Sequence, residues 1–134
     1  MNDAGDRIAV GGHENDGSAS RAGHARVYSY NGSAWVQLGA DIDGEGVNDR
    51  FGRTISLNAA GDRVAIGTGE NDGTANNAGH VRVYSYNGSA WTQLGADIDG
   101  EAASDYFGHR GLQMNAAGDR LVVGADKNDG SGTD

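Results

Sequence analysis

The sequence contains no cysteine and a single lysine, Lys127, in 134 residues. Without cysteine, disulfide bonds and thiolate metal sites are excluded. The nine arginines are scattered, and the net charge is −9, which argues against binding to nucleic acid or to an anionic membrane surface. No apolar run approaches the roughly 20 residues that a membrane-spanning helix needs, and no signal peptide is recognisable. We therefore expect the chain neither to bind nucleic acid nor to insert into a membrane.

Large apolar side chains are also scarce. Val, Ile, Leu and Phe together supply only 21 residues, a fraction that is typical of disordered chains when the net charge is high. Internal repetition and alternating patterns argue for a folded chain instead, because Tyr, Trp, Ala and Gly can fill the space between closely packed sheets. The 24 glycines fall mostly at predicted turns, which is typical of many short strands.

The chain is organised around a repeated segment. Residues 23–45 return as 79–101 with two differences, Ala25 for Val81 and Val36 for Thr92, and the period is 56 residues. The motif at 58–63 returns at 115–120 with one additional residue between the copies, which we place in 108–114. A period near 50 residues predicts propeller blades or another repeat array. Such near identity is typical of a recent duplication and equally of a consensus-engineered array.

Each period is predicted to hold four antiparallel strands, named A to D. In the complete copy they are 54–58, 63–67, 80–86 and 91–98. In strand B, Val64 and Ile66 fall on one face, and the small residues Ala65 and Gly67 on the other, where a second sheet can approach closely. Both faces of strand C carry packing groups, which predicts a sheet between two neighbours. Asn87-Gly88 predicts a type I′ hairpin turn between C and D.

The fold class predicted from this pattern is all-β, built from β-propeller blades. The strand order is B-C-D, A-B-C-D, A-B, which divides the chain into a partial blade 1–50, a full blade 51–106 and a partial blade 107–134. No helix is expected.

Two blades cannot close a ring, and their outer faces would expose apolar surface. We therefore expect a homo-oligomer in which strand A of one copy completes B-C-D of the next, giving a trimer of six blades or a tetramer of eight. The last B strand, 120–124, is then surplus, and one of the two B copies must be displaced or pair elsewhere.

The motifs resemble a known family. Phe51-Gly52 and Phe107-Gly108 resemble the Phe-Gly of FG-GAP repeats, the blades of integrin-α-type propellers, and residues 79–84 resemble their Gly-x-Val-x-Val-Tyr strand. The Trp-Thr-Gln-Leu-Gly of residues 91–95 and the Asp-Ile-Asp-Gly-Glu of residues 97–101 more closely resemble repeats of long secreted or surface proteins of bacteria. The resemblance implies a non-enzymatic module for adhesion, scaffolding or protein interaction, located outside the cell or at its surface. Met1 leads directly into a hairpin motif, so we expect neighbouring repeats beyond this sequence.

Calcium is the cofactor for which the sequence offers repeated candidates. The family's carboxylate-rich loop lies in the A–B hairpin, but 58–62 and 115–119 each supply one carboxylate, whereas calcium takes six or more oxygens. That site is not carried over, and no cofactor is expected from it. A second acidic group precedes each Phe-Gly and could gather around calcium: Asp43, Glu45, Asp49, Asp99, Glu101 and Asp105. Acidic edges and turns that keep the chain soluble are the simpler explanation of these residues.

Aromatic residues supply the remaining candidates. Trp35, Trp91, Tyr30 and Tyr86 could form stacking platforms for a glycan, which makes a lectin-type propeller the alternative function. Packing between blades explains the same residues. No Ser-His-Asp, paired-carboxylate or phosphate-loop arrangement is present, so no catalytic residue is expected. An enzyme whose catalytic residues lie in other repeats is a third hypothesis.

Overall fold

The computed structural model describes residues 1–130, and in this range the chain is all-β, as predicted. The eleven strands are β1 Arg7–Gly12, β2 His24–Tyr30, β3 Trp35–Gln37, β4 Ile42–Asp43, β5 Thr54–Leu57, β6 Arg63–Thr68, β7 His80–Tyr86, β8 Trp91–Gln93, β9 Ile98–Asp99, β10 Phe107–Met114 and β11 Leu121–Ala125. Within the described range, no helix is long and apolar enough to cross a membrane. The last four residues of the predicted segment 107–134 lie outside the described residues.

The strands form three antiparallel sheets, each made from consecutive strands. Sheet 1 has the order β1-β2-β3, with β4 also paired to β2; sheet 2 has the order β5-β6-β7-β8, with β9 also paired to β7; sheet 3 is the pair β10-β11. Sheets 1 and 2 share their register, since Ile8 lies opposite Tyr28 and Val64 lies opposite Tyr84. The sequence repeat therefore returns with the same strand pairing.

Sheet 2 lies between the other two sheets. Its Val64, Ile66 and Tyr84 pack in one cluster with residues of sheet 1, among them Val27 and Ile42. The alternate residues of the same strands form a second cluster with sheet 3, and these are Ala65, Val81 and Val83 with Leu112, Met114, Leu121 and Val123. The prediction of a sheet packed on both faces is confirmed.

The single strand predicted over 91–98 is wrong. Two short strands occupy this range, and they pair with β7 in different registers, Tyr84 opposite Gln93 but Val81 opposite Ile98. Four residues on one side thus face two on the other, which is a bulge. Gly95, with φ of +75°, lies in it and was the available signal, because glycine inside a strand often marks a bulge.

The predicted type I′ turn at Asn87-Gly88 is also wrong. Gly88 has a φ of +100°, but Asn87 is not among the residues with positive φ, which a type I′ turn requires at both positions. Instead, the Asn87 Oδ1 accepts hydrogen bonds from the backbone N–H groups of Ser89 and Ala90, at 3.0 and 2.9 Å. The side chain of asparagine thus stabilises a four-residue loop through an Asx turn.

The additional residue predicted in 108–114 is found there as an irregularity of β10. Its pairing with β11 shifts register between Phe107 and Leu112, and Gly111 in this stretch has a φ of +70°. The additional residue of the second copy therefore lies within strand β10, and the turn that follows at 115–120 is unchanged.

Candidate functional site

The residues repeated in the sequence meet at the contact between sheets 1 and 2. Arg82 of β7 points toward sheet 1, and its side chain is only 8% exposed. Its Nε and Nη2 donate to the two carboxylate oxygens of Asp97 at 2.8 and 2.6 Å. Nη2 also forms an ion pair with Glu45, which follows β4 of sheet 1. The guanidinium lies over the ring of Phe51 at 5.9 Å from its centroid, within the range of a cation–π contact.

The electrostatics of this group fix its charge state. Burial by itself would lower the pKa of Arg82, but the hydrogen bonds to Asp97 and Glu45 outweigh it and raise that pKa. The hydrogen bonds from Arg82 in turn lower the pKa of Asp97, although burial opposes them. The bulge at 94–97 places Asp97 beneath Arg82, and Gln93 adds a hydrogen bond to Asp97 at 2.7 Å. The pair is thus charged at neutral pH.

His80 lies next to this ion pair and is almost fully buried, with 1% of its side chain exposed. Its ring meets Phe51 edge to face at a centroid distance of 5.6 Å. Neither ring nitrogen has a hydrogen-bond partner, and Nδ1 is 4.0 Å from the Asp97 carboxylate. Burial lowers the pKa of His80, and the charge of Arg82 lowers it further. His80 is therefore neutral at pH 7.

Trp91 supplies the aromatic part of the same contact. Its Nε1 donates to the backbone carbonyl of Leu38 in sheet 1 at 2.8 Å, and the ring packs against the cluster between the sheets. Tyr86 lies beside it at a centroid distance of 5.1 Å. Of these two predicted ligand candidates, Trp91 joins the two sheets and Tyr86 packs beside it.

The equivalent residues of sheet 1 have the same local geometry but face outward. Arg26 binds Asp41 through two hydrogen bonds at 2.8 and 2.7 Å, yet its side chain is 39% exposed. The hydrogen bonds from Arg26 and Gln37 lower the pKa of Asp41 to about 2. Tyr30 and Trp35, the other two ligand candidates, lie with their ring centroids 5.4 Å apart and are each 44% exposed.

The six predicted calcium ligands have several different surroundings. Asp43 and Asp99 are exposed on β4 and β9. Asp49 and Asp105 are buried and accept hydrogen bonds from backbone N–H groups of their own loops, at 2.7 and 2.9 Å.

The two glutamates of this set differ from each other. Glu45 binds Arg82 across the contact, whereas Glu101 accepts a hydrogen bond from the side chain of Asn128 at 2.8 Å. Asp99, Glu101 and Asp105 line an open cavity of about 260 Å³ with Phe107 and Asn128.

Two sets of side chains in the described part of the chain are close enough to share a cation. They are His24 with Asp41 and Asp43, and His80 with Glu45 and Asp97. Arg26 already binds Asp41 in the first set, and Arg82 binds both carboxylates in the second. A divalent cation beside a guanidinium would be repelled. The arrangement favours an internal ion pair. From the sequence, the equivalent residues His24 and His80 were expected to pack within their sheets, and both are buried. Their proximity to the carboxylates was not predicted, although the spacing between His and Asp is the same in the two copies.

No protein-family model matches the chain, and no curated protein shows significant similarity to it. The function is therefore inferred from the geometry of the contact between the sheets.

Proposed function

We propose that the chain is a non-enzymatic β-propeller repeat module of the FG-GAP type that assembles with further copies of itself and serves adhesion, scaffolding or protein interaction outside the cell. In this proposal the three sheets are blades, a partial one in 1–50, a full one in 51–106 and a partial one in 107–134. The ring contains three chains and six blades, or four chains and eight.

The observation that carries the proposal is the difference in burial between equivalent residues of sheets 1 and 2. Ile66 is fully buried against sheet 1, whereas its counterpart Val10 on the outer face of sheet 1 is 50% exposed. Trp91 is packed between the sheets, whereas its counterpart Trp35 is exposed. The outer face of sheet 1 thus has the residues of a face that packs on another sheet.

The opposite surface shows the complementary difference. Ile42 of sheet 1 is covered by sheet 2 and is 6% exposed, whereas its counterpart Ile98 in sheet 2 is 42% exposed. Leu94, the counterpart of Leu38, is exposed to the same extent. Exposed apolar surface is unfavourable by about 25 cal/mol per Å², and contiguous patches mark interaction sites. A sheet like sheet 1, from another copy, is the occupant that supplies the matching contacts.

The surplus strand has a physical solution in this proposal. Strand β11 carries Val122 at the position where β1 has Ala9 and β6 has Ala65, and Val122 is 75% exposed. A larger residue where alanine lets the next sheet approach would overpack that contact. In the assembly, β1 of the incoming copy therefore stays paired with its own β2, and β11 of the receiving copy is displaced.

Native mass spectrometry and light scattering at micromolar concentration test the proposal. We expect a discrete species of three or four chains whose population falls on dilution. A monomer over the whole micromolar range would overturn self-assembly. The cysteine-free sequence removes disulfide-linked oligomers as an alternative explanation of such a mass.

Glycan binding is the second candidate function, and the exposed Tyr30–Trp35 pair favours it. The two rings are tilted by 47° and both are accessible. Binding on a glycan array that is lost in Trp35→Ala while the oligomer mass stays unchanged would support this function. Loss of both together would indicate that Trp35 packs between copies.

A further inference from the structure

We infer that Arg26 of one copy binds Glu101 of another, and that this ion pair fixes the head-to-tail direction in which copies join. The inference rests on the proposed self-assembly and adds to it the two surfaces that meet. The first surface is the outer face of sheet 1, which carries Arg26 and Trp35. The second is the uncovered part of sheet 2 with the loop after β9, which carries Leu94 and Glu101.

The contact between sheets 1 and 2 provides the precedent within the chain. There, Arg82 reaches across to Glu45 and lies over Phe51, and Trp91 donates to the carbonyl of Leu38. The counterparts of the donors, 56 residues earlier, are Arg26 and Trp35. The counterparts of the acceptors, 56 residues later, are Glu101, Phe107 and Leu94. Each half of the contact is thus present a second time, the donors on the outer face of sheet 1 and the acceptors on sheet 2 and at the start of β10.

The acceptor surface is accessible and negatively charged. Glu101 lies at the cavity of about 260 Å³, where Asp99 and Asp105 also line the wall. Phe51, which is covered by Arg82 and His80 in the first copy of the motif, is fully buried, whereas Phe107 is only partly buried. Glu101 binds the neutral amide of Asn128, a weaker partner than the guanidinium that Glu45 binds. An incoming arginine is the group that this surface matches in charge and position.

The donor surface is already in the geometry that docking requires. Asp41 binds Arg26 in the same fork as that of Arg82, and Gln37 donates a hydrogen bond to Asp41, so the Arg26 side chain is ordered before it meets a partner. Beside it, His24 is more than nine-tenths buried and its Nδ1 has no hydrogen-bond partner, as in His80. Because donor and acceptor lie on different surfaces, the contact is heterologous and propagates into a ring or a filament.

Charge reversal tests the ion pair. Arg26→Glu and Glu101→Arg are each expected to weaken association at least about tenfold, since each places like charges opposite one another. The double variant R26E/E101R restores opposite charges and is expected to regain most of the association. Asp3→Arg, an exposed position in the turn before β1, changes the net charge as Glu101→Arg does and is expected to leave association unchanged. Circular dichroism shows that each variant is folded.

A mixture of the two single variants gives a sharper readout. Their charges match only when the two kinds of chain alternate, so a closed ring formed from the mixture contains an even number of chains in equal parts. Native mass spectrometry measures the number of chains in the ring and the proportion of each variant. Assembly of the mixture where each variant alone is monomeric would support the inference.

The possible failures are distinguishable. If the unmodified chain is monomeric, the proposed self-assembly is wrong and the inference with it. If the unmodified chain assembles and both charge-reversal variants assemble equally well, the ion pair between Arg26 and Glu101 is wrong while self-assembly stands.

Discussion

The α-carbon of Gly52 lies against the backbone carbonyl of His24, so closely that a Cβ on Gly52 would be 2.3 Å from that oxygen. This is the place where the chain leaves sheet 1 for sheet 2. Phe51, the preceding residue, donates its backbone N–H to the carbonyl of Ala22 at 2.8 Å and forms a parallel bridge with Gly23. The Phe-Gly motif therefore combines a buried anchor with a residue that needs no side-chain space.

Replacing Gly52 by alanine is expected to destabilise the chain by about 3 kcal/mol or more, because the methyl group would overlap backbone that cannot move independently. Gly52 also has a φ of +90°. Gly88→Ala is the matched control, since Gly88 has a φ of +100° and open space around its Cβ position. There we expect only the conformational term of about 1–2 kcal/mol. Urea unfolding measures both, and equal losses would show that the close approach carries no energy.

The Arg–Asp fork occurs once covered and once open, which allows its energy to be compared in one chain. Asp97→Asn leaves the buried Arg82 with a weakened partner and is expected to cost about 2 kcal/mol. Asp41→Asn acts on Arg26, which is 39% exposed, and is expected to cost under about 1 kcal/mol. The free energy of unfolding in urea at pH 7, at concentrations where the chain is monomeric, measures the difference. Equal losses would contradict the idea that covering by a second sheet strengthens the pair.

The strands were predictable because local patterns specify them. Strand β7 has the predicted bounds, 80–86, since alternation and a turn define both of its ends. The break at 94–97 was missed because the Leu-Gly-Ala-Asp segment continues the alternation, and the bulge depends on the attraction between Asp97 and Arg82. Only Gly95 signalled it. The turn type was missed because the side-chain hydrogen bonds of Asn87 compete with the backbone geometry that Asn-Gly ordinarily adopts.

The candidate site was predictable only in part. The spacing of Arg82 and Asp97, which recurs in Arg26 and Asp41, was visible in the sequence as a repeated pair of opposite charges. The partner from the other sheet, Glu45, was not predictable, because a repeat period does not state how far one sheet is shifted along its neighbour. That shift depends on packing between the faces, as in the bond from Trp91 to Leu38.

The buried His80 makes the stability of the contact depend on pH. Burial lowers its pKa in the folded chain below the value of about 6.5 in the unfolded chain, so the unfolded state binds the proton first. Stability is therefore complete above about pH 6.5 and falls as the pH decreases below it, by at most about 1.4 kcal/mol per pH unit. Asp97, Glu45 and Asp49 face the ring and partly oppose this shift, and Arg82 reinforces it.

His80→Phe is expected to abolish this dependence between pH 6.5 and 5. Neither nitrogen of His80 has a hydrogen-bond partner, so an apolar ring of similar shape leaves no polar group unpaired. Stability at pH 7.5 should be retained or increased. Asp41 and Asp97 have lowered pKa values and contribute their own loss of stability only at more acidic pH. Urea unfolding of the unmodified chain and of His80→Phe across pH 5–8 provides the test. If stability still falls with decreasing pH in the variant, groups other than His80 cause the dependence.

The two tryptophans are expected to act on different equilibria. Trp91→Ala removes the hydrogen bond to Leu38 and opens a cavity between sheets 1 and 2, so it should lower the free energy of unfolding of the single chain by about 3 kcal/mol. Trp35→Ala removes an exposed ring and should change that quantity by less than about 1 kcal/mol. If the outer face of sheet 1 packs on another copy, Trp35→Ala must instead weaken association, because its indole takes the place that Trp91 has within the chain. Unfolding at concentrations where the chain is monomeric, combined with sedimentation equilibrium, separates the two effects. If Trp35→Ala associates normally, the outer face of sheet 1 does not pack on another copy as proposed, whatever the effect of Trp91→Ala on folding.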